Sequence, residues 1–175
     1  KYPADFAHFD FVNPAAPKGG RLALIGPVAN NTFDSFNGYI LKGDPAQGLA
    51  LLFDSLMTRA NDEPDAVYGL VAKSADLAAD RKSIRFELRP EAKFSDGSAL
   101  TAEDVCDSFR LLKAHAIETL RITIRDAETC DVLGIHELRY RFTGDKTRDL
   151  PLTVAKLPIF SKAYYAKVDF TRTTL

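Results

Sequence analysis

A polar stretch at residues 30–38 carries the side chains best suited to hold a ligand. It combines asparagine, threonine, serine and aspartate with two phenylalanines, so amide, hydroxyl and carboxylate groups are available for hydrogen bonds. The apolar run at residues 22–25 precedes it and is typical of a buried strand. Polar loops that leave the carboxyl end of such strands are where α/β proteins place ligand sites. The residue types alone favour a structural interpretation, an Asx-rich turn region with two anchoring aromatic rings.

Catalytic and metal chemistry is not predicted elsewhere in the chain. The three histidines, His8, His115 and His136, fall in an irregular arm, at a helix end and in a predicted turn, and none has a motif-like His or Cys partner. The sequence contains neither a glycine-rich phosphate loop nor a nucleophile elbow. We therefore expect neither an enzyme nor a cofactor.

The best-specified element is the stretch at residues 94–113, which predicts a strand end, a tight turn and a capped helix. Asp96-Gly97 is a turn signal. Thr101 followed by Asp104 resembles a capping box in which Asp replaces the usual Glu. Glu103 and Asp104 stand at the positive end of this helix, which explains both carboxylates without catalysis. Three apolar residues then recur at helical spacing, Val105, Phe109 and Leu112.

The two cysteines do not settle the cellular compartment. Cys106 lies within the predicted helix and Cys130 in or beside a strand. A disulfide between them is possible, but two separate core thiols are favoured, because free cysteine is commonly buried.

Alternating apolar residues predict three amphipathic strands, at residues 84–89, 120–125 and 138–142. With the helix they predict a mixed α+β or α/β fold, in which a small, mostly antiparallel sheet carries helices on its apolar face. The arginines of these strands are expected on the solvated face. A phosphate site is not favoured, because acidic residues are interspersed.

The remaining segments carry weaker patterns. Leucines in residues 46–58 predict a helix. Two prolines in the apolar stretch at residues 149–165 predict extended or irregular structure. Residues 1–20 read as an extended arm that packs the rings of Phe6, Phe9 and Phe11 on another part of the fold.

Composition excludes some partners. The hydrophobic content of 46% supports a core, and the net charge of −1 argues against broad binding to nucleic acid or anionic membranes. No apolar run is long enough to span a bilayer, and no signal peptide is visible. A cytosolic protein and an exported protein in processed form are both compatible with these properties.

Several motifs in a fixed order resemble those of one family. They are Gly19-Gly20-x-Leu22, Phe33-Asp34-Ser35-Phe36-Asn37, Asp62-Glu63-Pro64, Tyr68-Gly69-Leu70, Leu88-Arg89-Pro90 and Phe94-x-Asp96-Gly97-x-x-Leu100-Thr101-Ala102-Glu103-Asp104-Val105. This pattern resembles the family 5 extracellular solute-binding proteins, the peptide- and nickel-binding receptors of ABC importers. The opening, from Tyr2-Pro3 to Gly19-Gly20, resembles the YejA-like oligopeptide-binding subgroup.

The resemblance implies a place in a larger fold. Family members have two lobes, and this chain resembles the N-terminal part of one, so we expect a fragment of a periplasmic-binding-protein-like II fold without the second lobe. Residues 1–44 would open the main N-terminal subdomain. Residues 45–165 would form the inserted subdomain, and residues 166–175 would begin the return.

The resemblance also implies a function. The intact protein would be the substrate-binding component of an ABC importer that captures oligopeptides in the periplasm and delivers them to a membrane permease. The resemblance favours the ligand interpretation of the polar loop, with ligand contacts from Asn31, Thr32, Phe33 and Asp34. The alternatives are a receptor for a modified peptide, sugar derivative or nickel chelate, and an interaction module without a transport role.

Overall fold

Two antiparallel sheets and several short helices build the described part of the chain; the computed structural model describes residues 1–3, 6–21, 23, 32–144 and 148–173. A 3-10 helix (Leu49–Leu52) leads into a hairpin of β1 (Met57–Ala60) and β2 (Glu63–Gly69). The second sheet contains β3 (Ala72–Leu77), β4 (Ser83–Leu88), β5 (Ala127–Gly134) and β6 (Glu137–Phe142), in the order β3-β4-β6-β5. The helices are α1 (Ala102–His115), α2 (Glu118–Thr123), α3 (Leu150–Ala155) and α4 (Lys162–Tyr165).

The four-stranded sheet confirms two of the predicted amphipathic strands. In β4 and β6 every second side chain is buried: Ile84, Phe86, Leu88, Leu138, Tyr140 and Phe142. The opposite face is wet and carries ion pairs, with Arg85 Nε 2.7 Å from a Glu137 carboxylate oxygen. Arg141 Nε likewise lies 2.7 Å from a carboxylate oxygen of Asp131. The arginines therefore lie on the solvated face, as predicted.

The capped helix α1 is also confirmed. Thr101 is its N-cap residue, and the backbone N–H of Thr101 donates to Asp104 Oδ2 at 2.9 Å in a capping box. The apolar side of α1 packs on the sheet through Val105, Phe109 and Leu112, all buried. The ring of Phe109 meets that of Tyr140 edge-on, with centroids 5.2 Å apart.

Two buried polar residues of α1 hold the segment that precedes α4. The second carboxylate oxygen of Asp104, Oδ1, accepts the backbone N–H of Lys162 at 2.9 Å. Ser108 Oγ accepts the N–H of Phe160 at 2.7 Å and donates to the Asp104 carbonyl at 2.6 Å. Buried polar groups are costly without partners, so these bonds specify how the segment docks on α1.

The predicted helix at residues 46–58 is wrong in most of its length. Only Leu49–Leu52 are helical, as one 3-10 turn, and Met57 already belongs to β1. Gly48 stands before the turn with φ of 83°, and Phe53 after it is extended. Leu49 and Leu56 are buried, whereas Leu51 and Leu52 are largely exposed. The leucine spacing thus spans two elements and does not mark one helical face.

The predicted strand at residues 120–125 is also wrong, because these residues form α2 and the turn after it. Leu120 is half-buried, Ile124 is buried, and Ile122 between them is 60% exposed. Leu120 and Ile124 are spaced i, i+4 and share a helical face. Residues four apart also share one face of a strand, so this spacing fits both structures. The strand that pairs with β6 begins later, at Ala127.

The prediction of extended structure at residues 149–165 holds for the middle of that range only. Leu150–Ala155 form α3 and Lys162–Tyr165 form α4. Pro151 lies in the first turn of α3. Proline is tolerated there because an N–H at this position would have no acceptor within the helix.

The favoured prediction of two separate thiols is wrong. Cys106 and Cys130 form a disulfide, with their Cα atoms 5.2 Å apart. The bond joins the buried face of α1 to β5, which is an edge strand of the four-stranded sheet. The fold thus contains a covalent link between its helical layer and its sheet.

The aromatic arm packs on the hairpin, as predicted. The rings of Tyr2, Phe6 and Phe9 each lie within 5.5 Å of the ring of Tyr68 in β2, and Phe11 stacks on Phe9. The strand predicted at residues 22–25 lies outside the described residues, apart from Ala23. In the parts of the chain that are described, no helix has both the length and the apolarity to cross a membrane.

Replacing Asp104 should destabilise the fold. Asp104→Ala leaves the N–H groups of Thr101 and Lys162 without their acceptor, and we expect the free energy of unfolding to fall by about 2–3 kcal/mol in urea denaturation. Glu103→Ala is the matched control, because Glu103 is exposed and among the described residues bonds only the Lys162 ammonium, and the loss of stability in this variant should be clearly smaller. Equal losses in the two variants would contradict this role of Asp104.

The disulfide should contribute to stability. The Cys106→Ala/Cys130→Ala double variant releases a loop with a sequence separation of 24 residues, and we expect a loss of about 3 kcal/mol in the free energy of unfolding. Urea denaturation with and without a reductant measures it. The reductant should shift the midpoint of the parent chain and leave that of the double variant unchanged; no shift in the parent chain would contradict the prediction.

Candidate ligand-binding site

The polar loop closes on itself through backbone hydrogen bonds. The N–H groups of Asp34 and Ser35 both donate to the carbonyl of Asp44, at 3.0 and 3.1 Å, and Ala46 N–H returns a bond of 2.8 Å to the Ser35 carbonyl. Asp44 N–H also donates to Asp34 Oδ1 at 2.6 Å. Residues 34–46 are therefore a closed loop whose ends are held together.

The buried Asn37 side chain anchors this loop to the final described segment, and the buried Ser35 side chain bonds Asn37 within the loop. Asn37 Nδ2 donates to the carbonyl of Phe170 at 2.7 Å, and Asn37 Oδ1 accepts the N–H of Tyr39 at 2.9 Å. Ser35 Oγ accepts the N–H of Asn37 at 3.0 Å and donates to its carbonyl at 3.1 Å. Within the same loop, the Tyr39 carbonyl accepts the N–H of Ile117 at 2.8 Å. The loop is thus fixed to the segments at residues 117 and 170.

An aromatic cluster packs against the part of the loop that contains Tyr39. Phe160 lies at its centre, with ring centroids between 5.0 and 5.6 Å from those of four neighbours: Tyr39, Phe53, Tyr165 and Phe170. Edge-on contacts of this kind add to the burial of apolar area. Burial raises the pKa of both Tyr39 and Tyr165, so the two hydroxyls stay neutral at physiological pH.

Gly43 allows the loop to lie close to the chain that follows α4. Its φ is +85°, and a Cβ atom at this position would stand 2.8 Å from both Asp34 Oδ1 and Thr173 Cγ2. Glycine is needed here both for the backbone conformation and for the close approach.

Three of the four predicted ligand residues are exposed where the chain enters this loop, namely Thr32, Phe33 and Asp34. The Phe33 side chain is 50% exposed, and its ring lies 5.4 Å from that of Phe36, which is 45% exposed. Asn31 lies outside the described residues. Exposed rings beside backbone and carboxylate groups suit contact with a ligand that has both polar and apolar parts.

The residues that hold the loop were not predicted from the sequence. Ser35 and Asn37 are buried, and the backbone carbonyl of Asp44 accepts two loop N–H groups. Serine and asparagine side chains in turns often bond the local backbone, so the types of Ser35 and Asn37 were a usable signal, whereas that of Asp44 was not. The partner carbonyl of Phe170 had no such signal, because any residue supplies a carbonyl.

Other candidate chemistry does not converge on this loop. A cavity of about 440 Å³ lies between α1 and β5, and none of its lining residues belongs to the loop. Within residues 1–3, 6–21, 23, 32–144 and 148–173, no group of three or more His, Cys, Asp or Glu side chains is placed to hold a metal ion.

The fold is that of the periplasmic-binding-protein-like proteins. The crystal structure of NikZ from Campylobacter jejuni in complex with Ni(L-His) matches it with a TM-score of 0.67, over 82% of this chain and 28% of the NikZ chain. The sequence identity of this match is 18%, so the likeness concerns the fold alone.

The chain belongs to the bacterial extracellular solute-binding proteins of family 5. The family model described as "Bacterial extracellular solute-binding proteins, family 5 Middle" matches residues 66–174. This is a family of solute-binding proteins and not of enzymes. The family predicted from the motifs is thereby confirmed.

Two similar proteins come from Agrobacterium fabrum (strain C58). "Peptidoglycan-binding protein YepA" is 38% identical over 170 residues, which cover 91% of this chain and 27% of YepA. "Probable peptide-binding protein YejA" is 37% identical over 167 residues, which cover 94% of this chain and 26% of that protein. The chain thus spans about a quarter of the length of these relatives. The division into segments at residues 44/45 and 165/166 stays a prediction.

Removing the Asn37 side chain should loosen the loop without unfolding the sheet. Asn37→Ala leaves Tyr39 N–H and the Phe170 carbonyl unpaired, and we expect amide exchange of Tyr39 to rise at least tenfold (roughly 1.4 kcal/mol). Thr32→Ala, on the exposed part of the loop, should leave exchange of Tyr39 unchanged. Unchanged protection of Tyr39 in Asn37→Ala would show that the anchor does not hold the loop.

Proposed function

We propose that this chain is part of the substrate-binding component of an ABC importer that captures oligopeptides in the periplasm and delivers them to a permease of the inner membrane. Membership of the family supports the solute-binding role. The similarity to a protein named for peptide binding supports the peptide as the solute. The description of the family as extracellular supports the periplasmic location.

The observation that carries this proposal is the anchored loop with exposed residues where the chain enters it. Bonds through Asn37 and Asp44 fix the backbone while Thr32, Phe33 and Asp34 remain exposed. A surface already ordered before binding avoids part of the entropy that association costs. We infer that the four residues from Asn31 to Asp34 contact the peptide.

The proposed mechanism has three parts. The peptide backbone would pair with main-chain groups of the loop in the manner of an added strand. Side chains of varied size would lie in roomy, water-filled pockets, with the Phe33 and Phe36 rings offering apolar contact to one of them. A second lobe of the longer protein would close over the peptide by a hinge motion and bury it before delivery to the permease.

Another solute is the second candidate. YepA is named a peptidoglycan-binding protein, which suggests a modified peptide, and the NikZ structure holds Ni(L-His), which suggests a metal chelate. Mass spectrometry of material that co-purifies with the longer protein distinguishes these possibilities: unmodified peptides support the proposal, and a sugar-linked peptide or a nickel complex supports the alternative.

Removing the exposed ring of Phe33, where the chain enters the loop, should weaken peptide binding. In calorimetric titration of the longer protein with a defined peptide library, we expect Phe33→Ala to lower affinity about three- to tenfold (~0.7–1.4 kcal/mol). Phe11→Ala is the matched control, because Phe11 is 47% exposed in the arm and should not matter.

The same titration on the 175 residues alone should give weaker binding or none, because a single lobe cannot bury a peptide and ordering costs go uncompensated. Equal affinity of Phe33→Ala and the parent protein would contradict a role of the loop in the binding site. Tight peptide binding by the 175 residues alone would contradict the two-lobe mechanism.

A further inference from the structure

Asn37 combines the main anchor of the loop with the most reactive sequence context that an asparagine can have. Of the five asparagines in the sequence, only Asn37 is followed by glycine. Asparagine is a thermolabile residue. Glycine has no Cβ atom, so its backbone nitrogen approaches the preceding side chain without steric hindrance. The sequence therefore places a chemically labile residue at the point that ties residues 34–46 to Phe170.

The reaction open to this pair of residues is deamidation through a succinimide. The backbone nitrogen of Gly38 loses its proton and attacks Cγ of Asn37. The new N–Cγ bond closes the ring while the bond from Cγ to Nδ2 breaks, and Nδ2 leaves as ammonia with the proton that the Gly38 nitrogen lost. Water then opens the ring at Cγ, which leaves aspartate, or at the main-chain carbonyl carbon, which leaves isoaspartate. Water is the co-reactant, and nothing is oxidised or reduced.

The folded structure opposes this reaction. Asn37 is 6% exposed, and both polar atoms of its side chain are bonded. Nδ2 donates to the Phe170 carbonyl at 2.7 Å, and Oδ1 accepts the Tyr39 N–H at 2.9 Å. Cyclisation expels Nδ2 and joins Cγ to the Gly38 nitrogen, so the bond to Phe170 must open first. Local opening of this kind has its own free energy, which is smaller than that of global unfolding.

The aspartate product does not rebuild the anchor at neutral pH. An ionised carboxylate offers acceptors only, and one of its oxygens would face the Phe170 carbonyl to which Nδ2 donates in the parent chain. Two acceptors at that distance repel each other, and burial adds a desolvation cost for the charge. The Tyr39 N–H keeps an acceptor, so the damage concerns the contact with the final described segment.

We propose that Asn37 is a site of slow deamidation, which irreversibly releases the loop at residues 34–46 from the segment at Phe170. The anchor itself sets the rate, because only its open form cyclises. Release of the loop weakens peptide capture, a consequence that rests on the proposed function. The rates and denaturation midpoints that test the proposal involve no bound ligand, so their failure is distinguishable from failure of the proposed function.

Mass spectrometry of the 175-residue chain, incubated at mildly alkaline pH, measures the reaction, and fragmentation of the tryptic peptide that ends at Lys42 assigns it to Asn37. The reference for the unprotected rate is acetyl-Phe-Asn-Gly-Tyr-amide, the capped sequence of residues 36–39. Gly38→Ala is the control variant, because a Cβ atom hinders cyclisation. That atom would stand 3.6 Å from Leu49 Cδ1, an ordinary contact, so the variant keeps the fold.

We expect the folded chain to form the product at least about tenfold more slowly than the reference peptide, because the anchor is closed most of the time. The urea-unfolded chain should react within about twofold of the peptide, because unfolding removes both bonds of the side chain. Gly38→Ala should slow the reaction at least about tenfold in both states.

Asn37→Asp tests the consequence for the anchor. Asn13→Asp is its matched control, because Asn13 is exposed and bonds the N–H of the nearby Ala15. At neutral pH the urea midpoint of Asn37→Asp should lie below that of the parent chain. Protonation gives the introduced carboxyl an O–H that donates to Phe170, so the deficit should shrink as pH falls to about 4. Asn13→Asp should match the parent chain at both pH values.

The charged groups of the packed segments are common to the variant and the parent chain, so their titration cancels in this comparison. They are Asp34, Lys42 and Asp44 of the loop, His115 of α1, and Asp169 beside Phe170.

Four results would overturn the proposal. They are equal rates in the folded chain and the reference peptide, absence of product from the folded chain over several weeks in which the unfolded chain reacts, and undiminished product in Gly38→Ala. The fourth is a midpoint of Asn37→Asp that equals the parent's at neutral pH or shows the same deficit at both pH values. The comparison of folded chain, unfolded chain and peptide needs no variant, so the proposal stays testable even where a variant fails to fold.

Discussion

The hydrogen bonds of two buried side chains on α1 determine where much of the remaining chain lies. Asp104 and Ser108 are 8% and 2% exposed, and each bonds the backbone of the segment that leads into α4. Unpaired polar groups at such depth would be strongly unfavourable. The segment therefore docks in one register on the helix and places the ring of Phe160 between α1 and the polar loop.

The candidate ligand site depends on that docking indirectly, through Phe160. Phe160 is central to the aromatic cluster that includes Tyr39 and Phe170. Tyr39 and Phe170 are in turn the residues whose backbone groups Asn37 bonds. A continuous series of contacts thus runs from the capped start of α1 to Asn37 in the loop. Asp104 of the family motif therefore has a structural role that supports the candidate site without touching it.

The parts of this fold that were predictable from sequence are those whose signals are local. The turn at Asp96-Gly97, the cap at Thr101 and the alternation in residues 84–88 each specify their own conformation through neighbouring residues. The failures involve competition between distant segments. Residues 120–124 fit both a strand and a helical turn, and pairing with β6 by residues from 127 onwards decided between them.

The candidate site was predictable only in its exposed half. Its polar residue types and the family motif pointed to residues 31–34, of which three are described. The partner of its main anchor could not be derived, because Asn37 pairs with a carbonyl 133 residues away and a backbone carbonyl has no sequence signal. The disulfide was missed for a related reason: whether two cysteines lie 5.2 Å apart is a property of the folded chain.

The bond between Asn37 and Phe170 also bears on the order in which the molecule acquires its structure. It spans 133 residues, whereas the hairpins and α1 are built from contacts close along the chain. Long-range contacts form late, because closing a long loop costs entropy before it returns any interaction energy. During synthesis, residues 34–46 leave the ribosome well before residue 170 and must wait for it. The loop at residues 34–46 is therefore among the last elements to take its final shape.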